Sequence, residues 1–297
     1  LLVENRSVKM IARGKLLLKL ARGRRVLFSA ERLLSDNSST ASGERTTHFG
    51  FKTVKEDEKV KEVYSVFEKV AQSYDSMNDA MSMGIHRIWK DIFVQRLAPT
   101  HGSKLLDSAG GTGDITFRYI NYLMNSPNPE GKQSHVTVCD INKNMLEVGE
   151  ARAKRQGWLK DPNINVEWQT CDAESLPFQD ESYNAYTIAF GIRNVTHIDK
   201  VLSEAYRVLT PGGRFLCLEF SHVENDVFYD QYSFQVIPVM GTLIAGEWQA
   251  YQYLVESIRK FPKQEEFKEM IETAGFRDVT YENLTCGVVA IHSGFKL

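Results

Sequence analysis

The chain has no long hydrophobic run. Its apolar stretches are short and interrupted by Lys, Asp or Gly, whereas a membrane-spanning helix needs roughly 18 to 20 consecutive apolar residues. Cysteine is scarce as well: the four cysteines form no CxxC pair and have no histidine at a metal-ligand spacing, namely Cys139, Cys171, Cys217 and Cys286. We therefore expect no transmembrane helix, no disulfide framework and no metal site.

The body of the chain also lacks a basic stripe. Residues 1–34 carry nine Lys or Arg against Glu4 and Glu31, and the residues after them carry 27 Lys and Arg against 36 Asp and Glu. Nucleic-acid phosphates are bound by clustered Lys and Arg, so we expect no nucleic-acid partner. A neutral or cationic ligand suits this charge balance better.

What the first segment does contain is arginine, leucine and serine, with almost no acids. Residues 10–34 are rich in Arg and Leu, and residues 35–47 are rich in Ser, Thr and Gly. This composition is typical of a mitochondrial transit peptide followed by a linker. The alternative is an ordinary amphipathic first helix. We expect residues 1–47 to be the targeting segment and residues 48–297 to form the folded domain.

Short apolar strands alternate with helical periods after two initial helices, predicted at 58–74 and 85–97. The expected order is strand 104–108, helix 115–124, strand 136–139, helix 143–156, strands 165–170 and 183–189, helix 198–209, strand 214–220, helix 264–274, and strands 278–281 and 287–293. Such alternation is typical of a parallel sheet with helices on both faces. The last two strands are expected to form a terminal antiparallel hairpin, which gives seven strands in all.

A glycine-rich turn follows the first strand of this series. The sequence LLDSAGGTGD ends the strand at Asp107 and then places Ala109, Gly111 and Gly113 in an AxGxG spacing around Thr112. Glycines let the backbone turn tightly and approach a ligand closely. A dinucleotide-binding loop would carry the last glycine of GxGxxG, which this spacing lacks. A nicotinamide oxidoreductase is therefore the less favoured interpretation.

Two further acids follow the next two strands. Asp140 lies where a doubly wound fold places a carboxylate on ribose hydroxyls, and Asp172 with Ala173 lies at the same edge, suited to an adenine ring. A single acid after a strand is commonly only a turn or cap residue. Several in register behind a glycine loop predict a site for S-adenosylmethionine.

Three segments carry a family resemblance: YDSMNDAMSMGIHRIWK at 74–90, AFGIRNVTH at 189–197 and RVLTPGGRFLCLEFS at 207–221. They closely resemble the ubiquinone/menaquinone-biosynthesis C-methyltransferase family, and the resemblance extends from about His48 to Leu297. It implies a class I methyltransferase fold of the Rossmann-like type. It also implies cofactor contacts at Thr112, Asp140, Asp172 and Ala173, with Ala189 standing where bacterial members carry a serine near the cofactor.

The same resemblance implies a substrate and a location. The reaction expected from it is C-methylation of a polyprenyl benzoquinol ring in ubiquinone biosynthesis. Together with the targeting segment, it implies a mitochondrial enzyme on the matrix side of the inner membrane. There it would touch the membrane peripherally and assemble with other enzymes of a coenzyme Q biosynthetic complex.

Catalysis needs a stabilised phenolate, because a quinol hydroxyl with a pKa near ~10 is mostly protonated at neutral pH. Arg193 follows a strand, and its permanently charged fork suits an oxyanion; Asn194 beside it is a candidate hydrogen-bond partner of the ring oxygens. A structural ion pair is the alternative for Arg193. His86 and Asp75 are candidate proton acceptors, although His86 could instead lock the first helices to the core.

Aromatic side chains crowd the stretch 228–261, among them Phe228, Tyr229, Tyr232, Phe234, Trp248, Tyr251 and Tyr253. We interpret this stretch as a helical lid that covers the quinol and touches the membrane, although core packing explains some of these residues. Two other functions stay open. An O-methyltransferase would share every motif, and a noncatalytic scaffold would be expected to show an eroded cofactor loop, whereas this loop is intact.

Overall fold

The computed structural model describes residues 45–70, 79, 82, 84–223 and 248–297. The elements are β1 (Thr46–Phe49), β2 (Lys52–Lys55), α1 (Glu56–Val70), α2 (Ile85–Leu97), β3 (Lys104–Ser108), α3 (Asp114–Met124), β4 (Ser134–Asp140), α4 (Lys143–Gln156), β5 (Ile164–Thr170), β6 (Tyr183–Ala189), α5 (Ile198–Val208), β7 (Leu209–Phe220), α6 (Trp248–Lys260), α7 (Gln264–Thr273), β8 (Arg277–Leu284) and β9 (Val289–Phe295). Short 3₁₀ turns cover Ile192–Asn194 and Thr285–Gly287.

The main sheet has seven strands in the order β5-β4-β3-β6-β7-β9-β8. The first five are parallel, and β9 pairs antiparallel with both β7 and β8. The chain moves outward from β3 to β5 and then returns to β6 on the other side of β3. Ligands of open α/β sheets bind where the strand order reverses in this way, outside the carboxyl ends of the strands.

Two hydrophobic layers cover the sheet, as the pleat of a strand dictates. In β3, Leu105 belongs to the cluster with Phe93 of α2 and Ile120 of α3, while its neighbour Leu106 belongs to the cluster with Val201 of α5. All five side chains are fully buried. Helices on both faces therefore hold β3 rigidly, and its carboxyl end is a fixed platform for a binding site.

The predicted architecture is confirmed, and α2, β3, α4 and β6 have the predicted bounds. The start of β7 was predicted wrongly: the strand begins at Leu209, where it pairs with Tyr183, and an irregularity in register between Tyr183 and Ala185 absorbs the Pro-Gly-Gly segment. The hairpin β1–β2 was not predicted, and β1 spans the expected boundary between residues 47 and 48.

Three expectations concern residues outside those described. Residues 1–44 of the expected targeting segment lie outside the described residues, as do Asp75, the last predicted turn of α1 and the lid residues 228–247. The described end of the aromatic stretch is helical, as predicted, in α6. Over the ranges that are described, no helix combines the length and the apolar composition that crossing a bilayer requires.

Candidate cofactor and substrate cleft

A cleft lies at the carboxyl edge of β3, β4, β5 and β6 and contains about 1260 Å³ of space, its open mouth included. Its lining includes residues that end each strand or directly follow it, at 109–112, 140–142, 171–174 and 189–191. Val60, Val63 and Tyr64 of α1 contribute apolar side chains. The parallel register explains this convergence, because all four strands end at one edge.

The glycine turn is shaped by close packing. Gly111 and Gly113 have positive φ angles, +53° and +80°, which L side chains rarely adopt. A Cβ on Gly113 would meet the Trp168 ring at 2.5 Å. Gly113 is the N-cap of α3 and is not among the residues that line the cleft. The Gly111 backbone N–H donates to Asp140 at 3.0 Å, which fixes the turn against β4.

Asp140 combines a structural role with a place in the lining of the cleft. One carboxylate oxygen accepts from Gly111, and the other accepts from the backbone N–H of Asn142 at 2.8 Å. Burial raises the pKa of Asp140 to about 6. The group is ionised at neutral pH and lines the cleft, and a carboxylate oxygen has several lone-pair sites. Asp140 can therefore still accept from ribose hydroxyls.

Asp107 braces the centre of the site. Its oxygens accept from the Thr187 hydroxyl of β6 at 2.9 Å and from the Thr116 hydroxyl of α3 at 2.7 Å. Desolvation raises the pKa of Asp107 to about 6, although both hydroxyls favour the ionised form. The carboxylate thus joins three elements at the floor of the cleft.

The remaining predicted cofactor residues all reach the cleft. Thr112, Asp172, Ala173 and Ala189 are part of its lining. Asp172 also accepts from the Glu174 backbone N–H at 2.9 Å, the turn contact that the simpler interpretation of such acids predicts. Asp172 therefore both stabilises its turn and lines the cleft, so its interpretation as a turn residue does not exclude its interpretation as a cofactor contact.

An ion pair at the cleft was not predicted. The Lys90 ammonium of α2 lies 2.7 Å from the Asp114 carboxylate at the start of α3, and both residues line the cleft. The pair is largely buried. Adjacent opposite charges match the amino and carboxylate groups of an amino-acid zwitterion, so the pair fits the methionine end of S-adenosylmethionine. The IHRIWK segment contains this lysine, but its partner lies 24 residues away.

The charge of the cleft also fits that cofactor. Five acidic residues line it against one lysine: Asp107, Asp114, Asp140, Asp172 and Glu174 against Lys90. In a partly desolvated cleft such an excess favours a cation, and a sulfonium carries one positive charge. The described residues form no group of three or more His, Cys, Asp or Glu side chains that could hold a metal ion.

The structure places the predicted catalytic residues at different distances from the cleft. Asn194 lines it. Arg193 does not: its guanidinium pairs with Glu219 at 2.9 Å, donates to the Phe190 carbonyl at 2.6 Å and lies over the Phe220 ring. Both members of the pair are almost fully buried. This is the ion-pair alternative for Arg193, and the partner Glu219 was missed because it lies on the neighbouring strand.

His86 is also absent from the lining. Its Nε2 lies 2.8 Å from Asp79, which in turn accepts from the Arg87 guanidinium. Burial lowers the pKa of His86, and the hydrogen bonds from Arg87 and His86 hold that of Asp79 far below its usual range. These contacts match the locking role rather than proton transfer at the cleft.

The α1 wall of the cleft is tied to the sheet edge by His197. Its two ring nitrogens contact Glu174 at 2.7 Å and Glu56 of α1 at 3.2 Å. The Lys59 ammonium adds a hydrogen bond to the Val195 carbonyl at 2.7 Å. His197 is itself the N-cap residue of α5, with no side-chain cap contact.

Solved structures with this fold include methyltransferases. A SAM-dependent methyltransferase from Thermotoga maritima, described as a possible histamine N-methyltransferase, covers 79% of this chain and 100% of its own at 17% identity, with a TM-score of 0.53. The [4+2]-cyclase SpnF matches with a TM-score of 0.51 and 17% identity, covering 70% of this chain and 80% of its own. These likenesses show the fold alone. The match to a cyclase illustrates that one fold serves several reactions.

The sheet order, the glycine turn and the acids after successive strands define a class I methyltransferase that uses S-adenosylmethionine. Residues 52–296 match the model of the ubiE/COQ5 methyltransferase family, and the chain belongs to that family. It is 69% identical over 270 residues to 2-methoxy-6-polyprenyl-1,4-benzoquinol methylase, mitochondrial, of Drosophila melanogaster, covering 89% of this chain and 90% of that one. The human protein of the same name is 55% identical over 295 residues, covering 90% and 88%.

Proposed function

We propose that this enzyme methylates a ring carbon of a 2-methoxy-6-polyprenyl-1,4-benzoquinol in ubiquinone biosynthesis. The observation that carries the proposal is the 69% identity to the Drosophila melanogaster methylase over nine-tenths of both chains. The cleft supports it, because its lining combines acidic residues suited to a cationic cofactor with the apolar side chains of Val60, Val63 and Tyr64. A greasy ring substrate needs such apolar side chains.

We assign the cofactor to the edge formed by Asp107, Gly111, Thr112, Asp140, Asp172, Ala173 and Ala189, with Gly113 supporting the turn from behind. When bound, S-adenosylmethionine supplies a methyl group on a sulfonium, and the sulfur keeps the electron pair of the broken bond. The protein contributes orientation: Asp140 accepts from hydroxyls, and Lys90 with Asp114 binds the charged amino-acid end. Holding two reactants in a reactive geometry can supply several kcal/mol of rate enhancement.

The polar groups near Asn194 are proposed to stabilise the deprotonated quinol. Asn194 lines the cleft and can donate to a ring oxygen. Arg193, the preceding residue, does not line the cleft; it holds the turn that carries Asn194 through its contacts with Glu219 and the Phe190 carbonyl. On this proposal Arg193→Lys lowers turnover with nearly normal cofactor affinity, because Lys cannot hold both Glu219 and the Phe190 carbonyl in the planar geometry of Arg. Wild-type turnover in that variant would leave Arg193 with a structural role alone.

The test of the reaction is turnover of a short-chain quinol analogue with S-adenosylmethionine carrying a ¹³C-methyl group. Mass spectrometry gives the mass gain, and NMR distinguishes a methyl on carbon from a methyl on oxygen. We expect the methyl on carbon. Exclusive O-methylation would replace the proposal by an O-methyltransferase, and a lack of methylated product would refute it. Titration with NADH is the parallel control for a nicotinamide oxidoreductase, and we expect no binding.

We further propose that residues 1–47 direct the enzyme into mitochondria, where it works on the matrix side of the inner membrane with other coenzyme Q enzymes. The nine Lys and Arg of residues 1–34 support the targeting role, and the relatives' names include the word mitochondrial. N-terminal sequencing of the mature protein should place the cut between Leu27 and Thr47, preferably after Leu34. Recovery of Met10 in the mature protein would contradict it.

A further inference from the structure

Asn194 faces a problem of orientation. It ends the 3₁₀ turn after β6, where its backbone N–H donates to the Gly191 carbonyl at 3.0 Å, and it lines the cleft. A side-chain amide carries an acceptor on one side and two donors on the other. Only one of its two orientations offers donors to the cleft, so something must fix the amide before Asn194 can stabilise an oxyanion.

Tyr253 of α6 makes the contact that fixes it. The Tyr253 hydroxyl donates to Oδ1 of Asn194 at 3.1 Å, across 59 residues of chain. Tyr253 is only 5% exposed. Burial raises the pKa of this hydroxyl to about 12, so it stays protonated and remains a donor at any physiological pH.

The Tyr253 ring is itself held in place. Phe49 of β1 stacks on it with ring centroids 4.2 Å apart and ring planes within 12° of parallel. The hairpin β1–β2 is anchored nearby, where the Phe51 backbone N–H donates to Glu256 of α6 at 3.0 Å. A stacked, buried phenol has few ways to reorient. The hydroxyl therefore points at Asn194 through packing as well as through its hydrogen bond.

We propose that Tyr253 is a positioning residue: it occupies Oδ1 of Asn194 and thereby presents Nδ2 of that amide to the cleft as the donor that binds a quinol oxygen. The inference rests on the proposed function, because it concerns the phenolate of that substrate. Neither Tyr253 nor Phe49 needs to touch the substrate. The donor lowers the pKa of the bound quinol and enlarges the reactive phenolate fraction at neutral pH.

The first experiment compares two Tyr→Phe variants of the full chain. Tyr253→Phe keeps the ring and its stacking on Phe49 but loses the hydroxyl. The matched control is Tyr183→Phe, since the buried Tyr183 donates at the same distance, 3.1 Å, to Thr137 and does not line the cleft. We expect Tyr253→Phe to lower kcat about 10-fold at pH 7, as expected for a misplaced hydrogen bond to a charged group, and Tyr183→Phe to keep wild-type turnover.

The pH profile separates positioning from general damage. Without an oriented donor the bound quinol ionises at higher pH, so the kcat profile of Tyr253→Phe should shift upward and the defect should shrink as pH rises. KM for S-adenosylmethionine should stay unchanged. A defect of the same size at every pH would mean that Tyr253 only supports the fold, and turnover equal to that of Tyr183→Phe would overturn the inference.

Asn194 variants test the route of the effect. In an Asn194→Ala background, Tyr253→Phe should cause no further loss, because the group it positions is gone. Asn194→Asp keeps an oxygen that accepts from Tyr253 but has no N–H to offer, so it should be at least as impaired as Asn194→Ala. Additive losses in the double variant would overturn the inference, and so would a fully active Asn194→Asp.

A chromophoric phenol gives a readout that does not depend on turnover. A nitrophenol bound in the cleft reports its own ionisation by absorbance, and its bound pKa should be lower in wild type and Tyr183→Phe than in Tyr253→Phe. Equal pKa values in all three would refute the positioning role. If the wild type lowers the pKa of the probe through Tyr253 yet does not methylate the quinol analogue, the proposed function fails while the positioning role stands.

Discussion

Replacing Glu219 by Gln removes one charge from a buried ion pair and changes the shape of the side chain very little. Glu219 and Arg193 pair at 2.9 Å with side-chain exposures of 1% and 3%. Glu219 also accepts from the Phe220 backbone N–H at 2.9 Å. Gln can keep that backbone contact, so the perturbation is the loss of the negative charge that compensates the guanidinium beside the Phe220 ring.

The expected cost follows from burial. Breaking a buried pair by removing one partner typically costs about 3–5 kcal/mol, because the remaining charge is left uncompensated. In a domain of this size each kcal/mol lowers Tm by roughly 2–4 °C, so Glu219→Gln should melt roughly 6–20 °C below wild type. Calorimetry at pH 7 measures this, and the difference should persist at ~1 M salt, since buried pairs are little screened.

A surface pair provides the control. Arg96 and Glu282 lie 2.7 Å apart with exposures of 50% and 42%, and exposed pairs contribute about 0–1 kcal/mol. Glu282→Gln should therefore have little effect on stability and should lose that effect in salt. If Glu219→Gln is no more destabilised than Glu282→Gln, the Arg193 guanidinium is not buried as described, and a direct contact between Arg193 and substrate becomes tenable again.

Three further perturbations test the cleft. Gly113→Ala should lower the free energy of unfolding, measured by urea denaturation, by about 2–4 kcal/mol, because of left-handed strain and the 2.5 Å approach to Trp168. Gly84→Ala, where φ is +78° and the space is open, is the control and should lose about 1 kcal/mol. Equal losses would refute the packing argument. Affinity for S-adenosylmethionine, measured by calorimetric titration, should fall as pH drops through about 6, where the cleft residues Asp140 and Asp107 gain protons. Because burial raises both pKa values, the same protonation stabilises the cofactor-free protein, so stability should rise as cofactor affinity falls. A fall of both with decreasing pH would contradict the assignment. His197→Gln should speed hydrogen exchange in α1 with little change in Tm; unchanged exchange would show that His197 does not hold this wall.

The sheet could be predicted from the sequence because each strand has a local signature. The runs that became β3 and β6 are short, apolar and bounded by polar or glycine residues, and their ends were predicted to the residue. The hairpin β1–β2 has no such signature: Thr46–Phe49 and Lys52–Lys55 are short and largely polar. It is held by contacts such as Phe49 on Tyr253, which join residues 204 positions apart.

Tertiary pairing also explains the error at β7. Pro211, Gly212 and Gly213 form the kind of sequence that usually ends an element, so the strand was expected to begin after them. Leu209 nevertheless pairs with Tyr183 across the sheet, and the irregular register lets the turn residues stay within the strand. A ladder partner that lies 26 residues earlier cannot be read from the turn itself.

The same difference between local sequence signals and long-range contacts separates the cofactor edge from the substrate side. Residues that follow parallel strands converge wherever the strands converge, so predicting β3, β4 and β5 was enough to bring Asp107, Asp140 and Asp172 to one cleft. Arg193 also follows a strand, but its long side chain has a choice of partners, and that choice depends on which acid the neighbouring strand buries. Position at an edge can thus be inferred from the order of strands, whereas the direction of a flexible charged side chain requires its surroundings. For this reason the glycine turn and its acids could be assigned from sequence, while the Glu219 partner of Arg193 could not.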